Sequence, residues 1–237
     1  MNMCLSLLIA LITLTVTAQQ NPFLMVKKID SPTHISFKSI SERLEKNIPS
    51  IAVDKANWKA FPYAPEVFFK MAQDSEKLYL KFYVTEAHIL AQHSKPNTAT
   101  HRDSCVEFFI DPDQSGGYYN FEFNCIGTTH LAYGPDRYER TFINPQKIKN
   151  SLFIESTLGN QPFEEKSGHF KWEMVVAIPS SIFVQHPNLT FNTLHSKANF
   201  FKCGDDTTKP HYLSWSPIDT PNPDFHRPEF FGNLVFD

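Results

Sequence analysis

The sequence predicts an all-β fold, an antiparallel β-sandwich of the jelly-roll or immunoglobulin-like kind with little helix. Three observations carry this. Short segments rich in aromatic and β-branched residues recur along the chain, residues that favour turns separate them, and helical periodicity is scarce. The 237 residues include 22 phenylalanines, eight tyrosines, three tryptophans and 17 prolines, so ring faces and turns are both abundant. A net charge of −3, with 41% hydrophobic and 20% charged residues, fits one ordinary globular domain once any targeting segment is removed. No charge run suggests a nucleic-acid partner.

The first eighteen residues, MNMCLSLLIALITLTVTA, hold an apolar run and end in the small-residue pattern Val16-Thr17-Ala18. This reads as a secretory signal cut after Ala18, because the run is shorter than the ~20 residues that span a bilayer. The mature chain is then exported to a periplasmic, cell-surface or secreted location. Residues 19–50 read as a lead-in that contains one short helix, SISERLEKN (39–47), and residues 51–237 as the sandwich domain. Within it, strands are expected at 66–72, 77–85, 104–111, 118–125, 130–133, 152–156, 170–178, 198–203 and 211–215. A single helical turn is expected at 180–183, and no repeat or long linker divides the domain.

One hairpin can be resolved to its register. The six-residue turn PDQSGG joins strands 104–111 and 118–125, and direct closure pairs Asp111 with Tyr118. Counting outwards then places Glu107 opposite Glu122 and Cys105 opposite Asn124 on one face. The other face carries Val106, Phe108, Ile110, Phe121, Phe123 and Cys125, which is wholly apolar and must be the core side. Two carboxylates so placed have Cβ atoms about 5 Å apart and repel. Either both splay into solvent, or they share a concave polar site with a partner: Lys202, Arg102, a bound cation or a shared proton.

The remaining candidates are weaker. Without Cys4 there are three cysteines, Cys105, Cys125 and Cys203, so at most one internal disulfide can form. The spacing of His88, His93 and His101 fits neither a helical nor a strand face, which argues against a transition-metal site. The turn DPDQSGG offers oxygen ligands suited to a structural calcium ion, although it lacks the full helix-loop-helix spacing. No other cofactor is indicated. Trp58 and Trp172 read as core, while Trp215 stands at a strand end.

The stretches DSCVEFFIDPD (103–113), YNFEFN (119–124), WEMVVAIPSSIF (172–183), LSWSPI and RPEFFGNLVF (227–236), in that order, resemble the family 9 carbohydrate-binding modules. The resemblance runs from about Ile51 to the end of the chain. It implies a β-sandwich that binds sugars without cleaving them, commonly gripping the terminal residue of a glucan or xylan chain between two aromatic rings. It also implies partners in polysaccharide catabolism, such as glycoside hydrolases acting on the same glycan. His101 stands nearest the position of one family tryptophan, and Phe225 matches the second. Glu107 and Asn124 match polar contacts of the family, Asn222 is retained, and Glu122 replaces an arginine. A family glutamine falls near Phe201 or Lys202. The resemblance thus implies a site of His101, Glu107, Glu122, Asn124, Lys202, Asn222 and Phe225.

Two alternatives stand beside a binding module: a glycoside hydrolase using Glu107 and Glu122, whose separation of about 5 Å suits a retaining mechanism, and a protein-binding adhesion sandwich. In the closing segment PNPDFHRPEFFGNL, Phe230 and Phe231 with Leu234 are expected to tuck the last strand into the core. Phe225, His226 and Asn222 are expected at the rim of a pocket, where loss of the Phe225 ring costs little stability. Mass spectrometry of the exported protein should find Gln19 at its amino terminus, and a mature chain that retains Met1 contradicts the signal.

Overall fold

The computed structural model describes residues 21–237, so the signal read at 1–18 lies outside the described residues. In chain order the elements are β1 (Phe23–Lys28), α1 (Phe37–Asn47), β2 (Ile51–Ala52), β3 (Glu66–Gln73), β4 (Lys77–Ala91), β5 (Cys105–Asp111) and β6 (Tyr118–Asn124). They continue with β7 (Thr129–Gly134), β8 (Thr141–Phe142), α2 (Pro145–Ser151), β9 (Phe153–Ser156), β10 (Phe163–Pro179), β11 (His195–Cys203), β12 (Tyr212–Ser214) and β13 (Gly232–Phe236). Each of the nine expected strands is present. β4 and β10 run further than expected, pairing from Lys77 opposite Pro179 out to Ala91 opposite Phe163 through two irregularities of register.

The strands form one curled mixed sheet in the order β8-β7-β6-β5-β11-β13-β1-β3-β4-β10-β9, with β12 on β11 and β2 on β3. A purely antiparallel arrangement does not form, because β1 runs parallel to both β13 and β3. The segment read as a lead-in therefore supplies the strand that joins the two halves of the sheet. Its sequence hides the alternation: Phe23, Leu24, Met25 and Val26 are all apolar, yet only Leu24 and Val26 are buried.

The two halves pack face to face. Phe69 of β3 stacks on Phe200 of β11 with ring centroids 3.6 Å apart, and Phe108 of β5 adds to the pile at 4.9 Å. The interior also holds a buried ion pair, Lys202 Nζ to Glu86 Oε2 at 2.8 Å. Trp172 Nε1 donates to Glu86 Oε1 at 2.7 Å, and His211 Nε2 lies 2.7 Å from the ammonium. Glu86 is on β4 and Lys202 on β11, so the pair crosslinks the halves. Breaking a buried pair of this kind on one side leaves a charge without a partner, at a cost of about 3–5 kcal/mol.

Helix α1 begins with a capping box, in which the Ser36 hydroxyl accepts from Ser39 N and the Ser39 hydroxyl accepts from Ser36 N. Its buried residues Ile40 and Leu44 pack with Tyr79, Val175 and Ala177 on the far side of the sheet from the main core. From its last turn, Glu45 reaches the buried lysines Lys70 at 2.6 Å and Lys81 at 3.0 Å. The other helix, α2, had no counterpart in the sequence reading; Asn144 caps it by accepting from Gln146 N.

Burial opposes ionisation of Glu45, but hydrogen bonds from Lys70, Tyr83 and Lys81 bring its pKa down from 4.5 to about 2. A depressed carboxyl pKa adds stability above the unfolded value that disappears as the pH falls through the folded one. The Glu45 side chain is 47% exposed, so solvent screening reduces the contribution to about 1 kcal/mol. Glu45→Gln should lower stability by about that amount near pH 7. In denaturant melts its gap from the wild type should close between pH 4.5 and about pH 2.

Candidate functional site

The hairpin of β5 and β6 has the register read from the sequence, with Glu107 opposite Glu122 and Cys105 opposite Asn124. The connecting turn closes on its own carboxylates. Asp111 accepts from the backbone of Ser115 and Gly116, and Asp113 accepts from Ser115. Gln114 and Gly116 both adopt positive φ, 59° and 93°, which the tight reversal requires. Asp113 Oδ2, the fourth oxygen of the pair, faces His186 Nε2 at 3.4 Å.

Every residue of β5 and β6 is buried. One face belongs to the core. The other forms the floor of a cavity of about 190 Å³, where Glu107 and Glu122 lie beneath His101, Arg140, His226 and Phe225. Glu122 is held from several directions: Thr100 Oγ1 donates to it at 3.1 Å and Asn120 Nδ2 at 2.9 Å. His101 Nδ1, His130 Nε2 and Arg140 Nη1 stand 3.6, 3.8 and 4.0 Å away. Glu107 has no such surround and accepts a hydrogen bond from Cys203 Sγ at 3.0 Å.

This asymmetry separates the two acids. Burial and the facing charge of Glu122 push the Glu107 pKa well above the carboxylate range. Burial works against charge on Glu122 too, but the imidazoles of His130 and His101 outweigh it and hold Glu122 at about 2. Of the two rings His101 is the more disposed to carry charge, since its hydrogen bond to Glu122 raises its pKa whereas burial lowers that of His130. His226 is kept neutral, its pKa taken down to about 3 by burial and by Arg140. Tyr118 OH and its Nδ1 share a hydrogen bond of 2.7 Å, which fixes the ring in place. The cavity therefore offers a protonated acid, a carboxylate, a guanidinium and imidazoles within one small volume. Arg140 Nη1 and His130 Nε2 are buried without a hydrogen-bond partner, both near Glu122. Arg140 Nη1 is a donor in want of an acceptor, whereas His130, whose Nδ1 faces Thr98 O at 3.2 Å, presents Nε2 as an acceptor.

The structure brings four of the seven expected site residues together: His101, Glu107, Glu122 and Phe225. The other three lie elsewhere. Lys202 points to the opposite face of β11, into the ion pair with Glu86. Arg102, the other side chain considered as a partner for the acids, faces Asp206 at 3.7 Å instead. The Asn124 amide donates to His93 O and to Asp103 Oδ2, both at 2.7 Å, and so ties two loops together. Asn222 lies outside the cavity, in an adjoining depression with Tyr138 and Arg227. In turn, the sequence reading missed Arg137, Arg140, Asp205 and Tyr212, which complete the walls. Arg140 supplies the guanidinium that the resemblance placed at position 122.

The aromatic wall is more deeply built than expected. Phe225 is only 8% exposed and stacks on Phe201, with centroids 4.2 Å apart and planes 11° apart. Trp58 packs beside it at 6.1 Å and donates its indole N–H to Thr220 O at 2.9 Å, which pins the final loop. Phe225 thus belongs to the outer apolar cluster with Trp58, Phe109, Phe201 and Phe231 while its remaining surface borders the cavity. Loss of the Phe225 ring removes core as well as wall, and loss of the Phe231 ring removes core. Phe225→Ala and Phe231→Ala are each expected to cost about 3–5 kcal/mol in denaturant melts. For Phe225 this replaces the small cost expected from the sequence.

A family model described as Carbohydrate-binding family 9 matches residues 39–236. No curated protein matches the chain. Among solved structures, a candidate carbohydrate-binding protein from Bacteroides uniformis ATCC 8492 is similar, at 38% identity and TM-score 0.88, over 92% of this chain and 100% of that one. A family 9 carbohydrate-binding module from Caldicellulosiruptor kristjanssonii, in complex with cellotriose, shares the fold at 11% identity and TM-score 0.58, over 91% of this chain and 93% of that one. The glucose complex of such a module from the same organism gives 13% identity and TM-score 0.58, over 91% and 96%. The match across 39–236 settles the assignment: the chain belongs to carbohydrate-binding family 9.

Proposed function

We propose that the chain is a non-catalytic carbohydrate-binding protein whose cavity grips a terminal sugar of a glucan- or xylan-class polysaccharide or oligosaccharide. The observation that carries this reading is the meeting of Phe225 and Tyr212 with Glu107, Glu122 and Arg140 in one recess. A sugar ring presents C–H faces to aromatic carbon and a belt of hydroxyls that both donate and accept. Glu122 accepts from such hydroxyls, Arg140 donates to them, and the protonated Glu107 can do either. A recess closed below by the sheet suits the end of a chain better than its middle.

The two acids are better built for binding than for cleavage. Glu122 is clamped by Thr100 and Asn120 and faced by His101, His130 and Arg140, which keeps it ionised and fixed. Family members bind carbohydrate without cleaving it. Among the described residues no helix is long and apolar enough to cross a membrane. Taken with the signal at 1–18, we read the protein as exported, with glycoside hydrolases acting on the same glycan as its partners in polysaccharide breakdown.

Calorimetric titration with glucose and cellotriose, the sugars bound by the two Caldicellulosiruptor modules, tests the reading. The wild type should bind at least one of them and release no hydrolysis product from cellotriose. Glu122→Gln should weaken binding about tenfold or more, equivalent to about 1.4 kcal/mol. A folded wild type that binds neither sugar, and no other carbohydrate on a glycan array, overturns it.

A further inference from the structure

Beneath the cavity, three potential metal ligands converge from two strands. Cys105 of β5 lies directly opposite Cys203 of β11, and Glu107 follows Cys105 two residues later on the same face. One ligand atom from each lies within 4.8 Å of the other two, and this is the only such group of His, Cys, Asp or Glu among the described residues. Both cysteines are free thiols. All three residues are buried, yet Cys203 and Glu107 border the cavity, so the group has a route to solvent.

A second observation concerns Glu107 itself. Glu122 has three cationic or imidazole neighbours at 3.6–4.0 Å, whereas among the described residues no lysine, arginine or histidine pairs with Glu107. Its hydrogen bond comes from the Cys203 thiol, a weak donor. A buried carboxyl group without a cationic neighbour holds a proton in the place that a bound cation could take.

We propose that Cys105, Cys203 and Glu107 form a binding site for a thiophilic metal ion of the Zn²⁺ class, with its remaining coordination position open to the cavity. Two sulfur donors select such an ion over calcium or magnesium, which take oxygen ligands. Three protein ligands with one open position is the arrangement of accessible zinc sites, and the open position would take a water or a ligand hydroxyl. On binding, each thiol forms a metal–sulfur bond and the Glu107 carboxyl group a metal–oxygen bond, each releasing its proton to solvent, so the ion supplies the charge that the three buried anionic ligands need. The site is separate from sugar recognition in that its test uses metal alone.

The test is an anaerobic Co²⁺ titration of the reduced, metal-free full chain. The wild type should take up one equivalent and develop a thiolate-to-cobalt charge-transfer absorption that Zn²⁺ removes by displacement. Cys105→Ser and Cys203→Ser should each lose most of that absorption. Glu107→Gln should retain it with Co²⁺ affinity reduced tenfold or more. The wild-type arm decides the matter even where a serine variant fails to fold. A wild-type chain whose thiols react as free cysteines and which shows no charge-transfer absorption overturns the proposal. So does a Cys105–Cys203 disulfide that forms in air in the presence of one equivalent of Zn²⁺.

Discussion

The cavity depends on one constraint: β6, β5 and β11 are neighbouring strands buried on both faces, and their side chains must alternate. The inner face is filled by stacked phenylalanines, so every odd position of β5 is committed to the outer side. That is where Cys105, Glu107 and Phe109 stand. A slip of one residue would drive Glu107 into the aromatic core and expose Phe108. The Lys202–Glu86 pair fixes β11 in the same way, because its fully buried ammonium can be satisfied in one register only. A charge pair of little net value to stability can still select one arrangement over its neighbours.

On this fixed frame the two facing acids become different chemical groups. Opposed carboxylates on a sheet repel, and the protein resolves the repulsion by unequal surroundings rather than by separation. Three cationic or imidazole side chains and two hydrogen-bond donors collect around Glu122, while a thiol faces Glu107. One acid becomes an obligatory acceptor and the other keeps its proton. Most of the groups responsible reach Glu122 from loops and from β7, not from the hairpin that carries it.

This explains what could be read from the sequence and what could not. The β5–β6 hairpin was legible because a short turn and a clean alternation of Phe, Val and Ile with Glu, Cys and Asn leave few registers. The outward extensions of β4 and β10 were not, since TEAHILA and FEEKSGH mix polar and apolar residues without a period. Lys202 is a case of another kind: it was expected beside the facing acids, but strand alternation sends it inward to a partner more than a hundred residues away. Arg140 had the opposite problem. Nothing within GPDRYER indicates that it will meet Glu122, since that meeting depends on the curl of the loop after β7. Phe225 borders the cavity, but its stacking on Phe201 is a tertiary fact without a local signature.

The position of β1 bears on how the chain comes to be folded. Phe23 pairs with Asn233 and Lys27 with Ala72, so the strand that joins the two halves takes one partner from the far end of the sequence. The seam between β1 and β13 cannot close until the last dozen residues are available, whatever has formed before. A ring closed over about 210 residues is entropically costly and slow to find. While the chain emerges in order it lacks its fastener, and the two halves of the sheet stay unjoined until the first and last strands meet.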